Sequence, residues 1–422
     1  METTTDKNRF AHRSPFDVAV ILLMIGAILL IIWLSLTNRS FWSAHWPSYS
    51  DMVSSLPQPS AWLRWLLGDI SEVAFYKHEF ASIGLLAGAY LAYWANRTGR
   101  SWQGFSISYG TGLWPWLITS SLLGLLLSNV LWGWTVTATS WQPTFAAFVS
   151  LPAAMVLMFG GGWKVTINGA IMGAVLVTPM CLLIVNYLCN PLGLPAVIGN
   201  VLGMAVASVV AFLLCRYRPS LMTSDQSATP PSKPPAPATK APDYGVIWSM
   251  RRVLADFSEA PFFGNELASL GLLLGVLLAY SMNPMSPAYG SGLLLHIIAA
   301  QALTSAIGVV IWRRQWMLRG WYPTYVPLVS VVPAAILTHG GSWLVIGSSA
   351  LLGALIAPPL ACAIAKRLPA DMHAYIGNVL SMAISTLLIV PLIGVLIAGK
   401  MPPTFGLYPI LNRVQPPLFP NT

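Results

Sequence analysis

Long apolar runs separated by short polar stretches dominate this chain, and each run of roughly 17 to 25 residues matches the length a helix needs to cross a hydrocarbon core. Such runs are apolar on every side. A soluble helix instead carries one apolar stripe facing a single core. Only 8% of the 422 residues are charged and 56% are hydrophobic, against about 25% charged in an ordinary soluble domain. Mean hydropathy is +0.67. The expected class is therefore an all-α polytopic membrane protein whose first partner is the lipid bilayer.

The formal net charge of +9 comes from 22 Lys and Arg against 13 Asp and Glu. The basic residues sit mainly between apolar runs, where membrane proteins keep their cytoplasmic anchors, so the surplus reads as topology and no nucleic-acid partner is expected. The first run, 16–37, follows Lys7, Arg9 and Arg13. With about 20 apolar positions and no small-residue cleavage site, it reads as an uncleaved span.

Self-comparison exposes a duplication. Glu79–Gly88 aligns with Glu266–Gly275, Tyr109–Gly112 with Tyr289–Gly292, and Trp141–Phe145 with Trp321–Tyr325. Pro152–Ala154 answers Pro333–Ala335, Gly160–Trp163 answers Gly340–Trp343, and Ile198–Leu202 answers Ile376–Leu380. Six colinear matches carrying Trp, Pro, Glu and Asn are not what apolar composition produces alone. Between the copies, the Pro-rich stretch Thr229–Pro242 cannot form a helix interior and has too few apolar residues to fold.

Each copy holds five apolar segments: 80–96, 111–134, 144–161, 165–188 and 195–215, then 267–283, 290–312, 323–339, 344–365 and 374–397. With the leading run, the expected count is eleven, arranged as 1 + 5 + 5. Lys and Arg alternate accordingly. Arg97 and Arg100, Lys164, the 216–252 stretch, Arg313 to Arg319, and Lys366 with Arg367 fall on one side; the connections at 135–142, 189–194, 284–289 and 340–342 carry none. The expected organisation is a cytoplasmic amino terminus and first helix (1–37), an external loop with an interfacial amphipathic helix near Ala61–Leu67 (38–78), and a first five-helix unit (79–215). A cytoplasmic Pro-rich linker (216–265), a second unit (266–397) and an external tail (398–422) complete it. Localisation follows as a bacterial-type inner (plasma) membrane.

An odd number of spans per copy makes the copies inverted relative to each other. Inverted-topology repeats, with broken or re-entrant helices at matching positions, recur in secondary transporters, where a site near the midplane is exposed alternately to the two sides. The functional expectation is a permease for a small-molecule solute. A membrane scaffold or subunit of a larger complex, and an intramembrane enzyme, are the alternatives, and a homo-oligomer is compatible with all three.

Polar residues inside apolar segments are costly and so mark pathways or helix contacts. Glu79 and Glu266 stand at equivalent helix starts, where the choice is a pair of gating or proton-linked carboxylates or acids favoured by the helix dipole. Asn200 and Asn378 lie in the matched Ile-Gly-Asn-Val-Leu element, as substrate contacts or interhelical glue. The Gly-rich turns around Gly161 and Gly341 precede segments interrupted by Gly169, Gly173 and Pro179, and by Gly347, Gly353, Pro358 and Pro359. Broken helices at such matched points are the transporter signature; with Asn168 and His339 beside the turns, this is the expected substrate or ion pathway. His296, Gln301 and Asn186 are more simply interhelical hydrogen bonds, and tryptophans near segment ends suit an interfacial belt.

No catalytic residue, cofactor or metal is indicated. His78-Glu79 lacks the second His of a zinc-protease motif, and neither a Walker loop, a dinucleotide-binding Gly motif nor a Gly-x-Ser-x-Gly elbow occurs in the sequence. The four cysteines have no metal-like or disulfide-like spacing.

Overall fold

The structure, a computed structural model, describes residues 46–137, 140–222 and 244–398. The expected leading span at 16–37 and the tail beyond Ala398 lie outside the described residues, as does most of the Pro-rich stretch. Among the described residues the chain is helical, and strand geometry is limited to one isolated bridge between Thr137 and Ser140.

The helices are α1 (Tyr49–Ser54), α2 (Pro59–Ser71), α3 (Glu79–Arg97), α4 (Trp114–Trp132), α5 (Leu151–Phe159), α6 (Trp163–Leu192) and α7 (Ala196–Tyr217). After the undescribed stretch come α8 (Val246–Asp256), α9 (Glu266–Met282), α10 (Leu294–Ile311), α11 (Arg313–Arg319), α12 (Val331–His339), α13 (Trp343–Ala365) and α14 (Tyr375–Ala398). Six of them, α4, α6, α7, α10, α13 and α14, are long and apolar enough to cross a membrane.

The first and third segments of each copy are helical but fall short of that standard. α9 has 17 residues, and α3 is diluted by Tyr90, Tyr93, Trp94 and Asn96. The third segments are interrupted. Thr144–Ala147 forms a tight 3-10 turn, the backbone leaves helical geometry at Ser150, and α5 follows with only 9 residues. Val326–Val329, Ser330 and the 9 residues of α12 repeat this pattern. The breaks thus occupy matching places, but in the third segments and not in the fourth. α13 runs unbroken through Pro358 and Pro359, while α6 continues through two wider turns at Gly173–Val177 and Val185–Cys189. Gly173 serves close packing: a Cβ there would lie 2.6 Å from the Pro152 ring.

α3 and α9 form the centre, and each begins with a side-chain cap. His78 Nδ1 accepts from the Phe80 amide, and Asn265 Oδ1 accepts from those of Leu267 and Ala268, satisfying donors that a helix start leaves free. The two helices cross antiparallel at backbone contact. A Cβ on Gly84 would fall 2.0 Å from the Gly271 carbonyl oxygen, and one on Gly271 equally close to that of Gly84. A Cβ on Gly88 would likewise fall 2.2 Å from the Leu267 carbonyl oxygen, and one on Gly275 2.2 Å from that of Phe80. These last two contacts are one contact with the copies exchanged. Backbone hydrogen bonds elsewhere are exchanged in the same sense: the Ala288 amide donates to Tyr76 O at 2.8 Å, and the Ser108 amide to Phe263 O at 3.1 Å.

Within each copy the second segment is tied to the fourth by tryptophan. Trp132 Nε1 donates to Ala174 O and Trp312 Nε1 to Ala354 O, both at 2.8 Å. The stretch 216–265, read from sequence as a linker, contains α8, which buries Arg252 and Asp256.

Candidate functional site

Two buried charge clusters lie beside the central crossing, one at the approach to each of α3 and α9. In the first, Lys77 Nζ pairs with Asp69 Oδ1 and, at 2.6 Å, with Glu72 Oε2, while lying 3.6 Å above the Trp65 ring. Asp69 Oδ2 also accepts from Asn129 Nδ2 at 2.9 Å and Thr144 Oγ1 at 2.7 Å. Glu72 Oε1 accepts from Trp141 Nε1 at 2.5 Å and from Tyr289 Oη, contributed by the other copy, at 3.2 Å.

The second cluster is built to the same plan. Arg252 Nη2 pairs with Asp256 Oδ1 at 2.8 Å and Glu259 Oε2 at 2.6 Å. Asp256 Oδ2 accepts from Ser305 at 2.6 Å, Glu259 Oε1 accepts from Trp321 Nε1 at 2.7 Å, and Tyr109 of the other copy lies beside Glu259. Trp141 and Trp321 are equivalent positions, as are Tyr109 and Tyr289. Each cluster holds two carboxylates against one cation.

The backbone around the clusters is strained. Every described non-glycine residue at positive φ belongs here: Phe75, Lys77, Ser108, Tyr109, Phe262, Ala288 and Tyr289. Phe75 answers Phe262, Ser108 answers Ala288, and Tyr109 answers Tyr289; Lys77 answers Gly264. Left-handed geometry at such residues costs on the order of 1–3 kcal/mol each and persists where the surroundings over-determine it. Here those surroundings are the cluster hydrogen bonds and the glycine-mediated crossing.

A cavity of about 1230 Å³ reaches the first cluster through Glu72, Trp141 and Tyr289. Its walls come from both copies, with Phe145, Val185, Asn186 and Asn200 from the first and Tyr325, Tyr375 and Met382 from the second. Val185 and Asn186 stand on the second wide turn of α6, a distortion often found where a helix wall serves a site. Neither Glu259 nor Tyr109 lines this cavity. Burial raises the Glu72 carboxyl to about 8, Lys77 opposing the shift and Asp69 adding to it. Burial likewise raises Asp256, against Arg252.

Of the residues singled out from sequence, Asn200 lines the cavity and its Oδ1 has no hydrogen-bond partner. Asn378 sits one bond behind the wall, its Nδ2 donating to Tyr325 Oη at 3.0 Å. Glu79 and Glu266 are the first residues of α3 and α9, paired with Arg64 at 2.6 Å and Arg251 at 2.8 Å. Glu266 also accepts from the Phe105 amide. Asn168 Nδ2 donates to Leu221 O, and His339 Nε2 is 2.8 Å from Val390 O. Gly161 packs on Trp116 and Gly341 on His296. The cavity therefore brings together Asn200 and, at one remove, Asn378, while the two Gly-rich turns lie away from its walls. Gln301 joins the copies, accepting from Tyr76 Oη and donating to Ala74 O and Leu328 O.

Comparison with protein-family models, curated proteins and solved structures found no match.

Sequence reasoning missed Asp69, Glu72, Lys77, Arg252, Asp256 and Glu259, because the stretches carrying them read as loop and linker. The signal was present. Continued backward from Glu79 and Glu266, the repeat gives Asp69, Ser71, Glu72 and Phe75 against Asp256, Ser258, Glu259 and Phe262 at identical spacing.

Proposed function

We propose that the protein is a secondary transporter that moves a small solute by alternating access between two inverted-topology units. In this reading the ten segments of the two copies, short and broken ones included, lie in the membrane together with the leading run, giving eleven. The amino terminus and the Lys- and Arg-rich connections face the cytoplasm of a bacterial-type inner membrane. An antiparallel pair of equivalent helices with exchanged contacts is what a two-fold axis perpendicular to both produces. For helices that cross a bilayer, that axis lies in the membrane plane.

The observation that carries the reading is asymmetry within this near-symmetry. Two clusters are built alike, yet the cavity reaches only Glu72 and Tyr289, not Glu259 and Tyr109. Its exposed lining residues, Ser54, Asn190 and Met285, belong to connections that the charge pattern assigns to one side. In this reading, a pseudo-symmetric molecule whose cavity meets the carboxylate of one of two equivalent clusters has a second state of similar energy in which the cavity meets the other. The matched breaks in the third segments supply backbone at which such an exchange can bend.

Purified protein in proteoliposomes should move at least one member of a solute panel, read as uptake or as currents on a solid-supported membrane, with altered behaviour in Glu72→Gln. Absence of movement for every solute, together with an unchanged Glu72→Gln, would favour a scaffold. The inversion has its own readout. An impermeant maleimide should reach Ser106→Cys and Met285→Cys, near-equivalent places in the two copies, from opposite membrane faces; labelling from the same face overturns it.

A further inference from the structure

We propose that the cavity binds a lipophilic organic monocation, whose charge replaces a proton on the carboxylate pair of Asp69 and Glu72. This deepens the transport reading and rests on it only for the consequence that the bound cation is carried across.

The lining of the cavity selects by sign. Glu72 is its one acidic residue, and no Lys, Arg or His is present among its described lining residues. Lys77 lies behind Glu72, engaged by both carboxylates and the Trp65 face. An anion would therefore meet a carboxylate with no accessible counter-charge. A small polar solute would leave most of an aromatic and aliphatic wall unused. The rings of Phe75, Trp141, Phe145, Tyr289 and Tyr325 line the wall and suit a cation carried on apolar substituents, since an aromatic face attracts positive charge. The volume, about 1230 Å³, exceeds the roughly 300–1,000 Å³ of ordinary small-molecule pockets.

A second, independent observation is the amide of Asn200. In the second copy the equivalent Asn378 is engaged by Tyr325 Oη. The first copy has Phe145 where the second has Tyr325, so the hydroxyl acceptor used by Asn378 Nδ2 has no counterpart beside Asn200. Asn200, 4% exposed and on the cavity wall, keeps an Oδ1 with no partner. Native structures rarely leave such an acceptor unpaired. An N–H donor, or the positive edge of a bound cation, would pair it.

The charge balance supplies the exchange. Two carboxylates share one ammonium, leaving one surplus negative charge that either a proton or a bound cation neutralises. Binding proceeds as a protonated Glu72 losing H+ to solvent while the cation takes its place; no bond other than O–H is broken and no electron moves. The titratable groups facing Glu72 are Asp69 and Lys77 from its own segment, and Tyr49 and Tyr289 from elements packed against it. Burial holds both tyrosines well above their ordinary range, so they keep their protons.

The test is equilibrium binding of tetraphenylphosphonium to the full chain in detergent, with tetraphenylborate as the same shape of opposite sign. Expected are phosphonium binding, at least tenfold weaker borate binding, and release of close to one proton per cation in lightly buffered solution at pH 7. Affinity should rise about tenfold per pH unit up to about pH 8 and then level off. Glu72→Gln should weaken binding at least tenfold and abolish both proton release and the pH slope. If that variant does not fold, wild-type proton release still decides. Equal binding of borate, pH-independent phosphonium binding, or no binding overturns the inference. Binding with proton release but no uptake into proteoliposomes upholds this site and overturns the transport reading. Uptake of other solutes without phosphonium binding does the reverse.

Discussion

The two charge clusters are nearly the same object built from different parts. Asp69 and Glu72 match Asp256 and Glu259 in spacing and in partners, but the cation comes from after the acids in the first copy and before them in the second. Trp65 stands where the second copy has Arg252, and Gly264 stands where the first has Lys77. Space explains the exchange. A Cβ at Gly264 would lie 2.5 Å from Glu259 Oε2, leaving no room for a side chain there, while Arg252 approaches from α8 across Trp316 at 4.9 Å. The two clusters share a charge arrangement while the residue supplying the cation differs in position. They differ in chemistry too: the lysine ammonium is a point charge on a flexible stem, whereas the planar guanidinium reaches both acids through Nη2 and adds a second bond to Asp256 through Nε. The cavity adjoins the cluster held by the looser cation.

The largest effect should come from the crossing that holds the two clusters in register. Gly84→Leu or Gly271→Leu places a side chain inside the partner's backbone, and no folded protein should survive gel filtration. Gly84→Ala alone should cost at or above the ~3 kcal/mol upper end of ordinary overpacking, because the Gly271 backbone carbonyl and not a flexible side chain stands in the way. Gly347→Ala, where a Cβ meets nothing within 4 Å, should leave the melting temperature unchanged. Equal tolerance at Gly84 and Gly347 would mean that the copies do not touch as described.

Next in size is removal of either cation. Lys77→Met and Arg252→Met each strand two buried carboxylates, and breaking a buried pair from one side costs about 3–5 kcal/mol. The comparison becomes sharper when the first cluster is rebuilt as the second. Lys77→Gly combined with Trp65→Arg should recover much of the melting temperature lost in Lys77→Gly alone. The glycine accepts the left-handed backbone at 77, where φ is 46°. Strict additivity of the two substitutions would show that the clusters are not interchangeable.

The matched motifs were legible because Trp, Pro, Glu and Asn recur in the same order through apolar sequence, and helices followed from the length of the runs. Asn200 was legible as a polar residue in an apolar element. The clusters were hidden by their setting. Asp69 and Glu72 lie in a charged, Trp-rich stretch that resembles a surface loop, and Arg252 with its acids follows a Pro-rich tract, so both passed for exposed connections. Burial there comes from residues distant in sequence, Asn129, Thr144 and Trp141 in the first cluster and Ser305 and Trp321 in the second, with one tyrosine from the other copy in each, which no local pattern reports. Glu79 and Glu266 were conspicuous at helix starts, but their partners were not: each is held by an arginine 15 residues earlier. The helix breaks were placed at Gly and Pro, whereas they occur at Ser150 and Ser330. There each hydroxyl turns back onto a carbonyl four residues before it, at 2.5 and 2.8 Å.

The smallest effect is the most specific to the first cluster. A carboxyl whose folded value is raised keeps its proton when the unfolded chain has lost it. Its stabilising contribution is full below the ordinary carboxylate range and disappears as pH rises through the folded value. For Glu72 that window runs from the ordinary range to about 8, so wild-type melting temperature should fall across it. Asp256, also raised, adds a fall of the same sign. Glu72→Gln removes the first contribution and keeps the second, so its melting temperature should decline less between pH 5 and pH 8.5 and run parallel to wild type above that. A curve parallel to wild type throughout would show that Glu72 does not hold the exchangeable proton, and the difference between the clusters would then reduce to which cation each one uses.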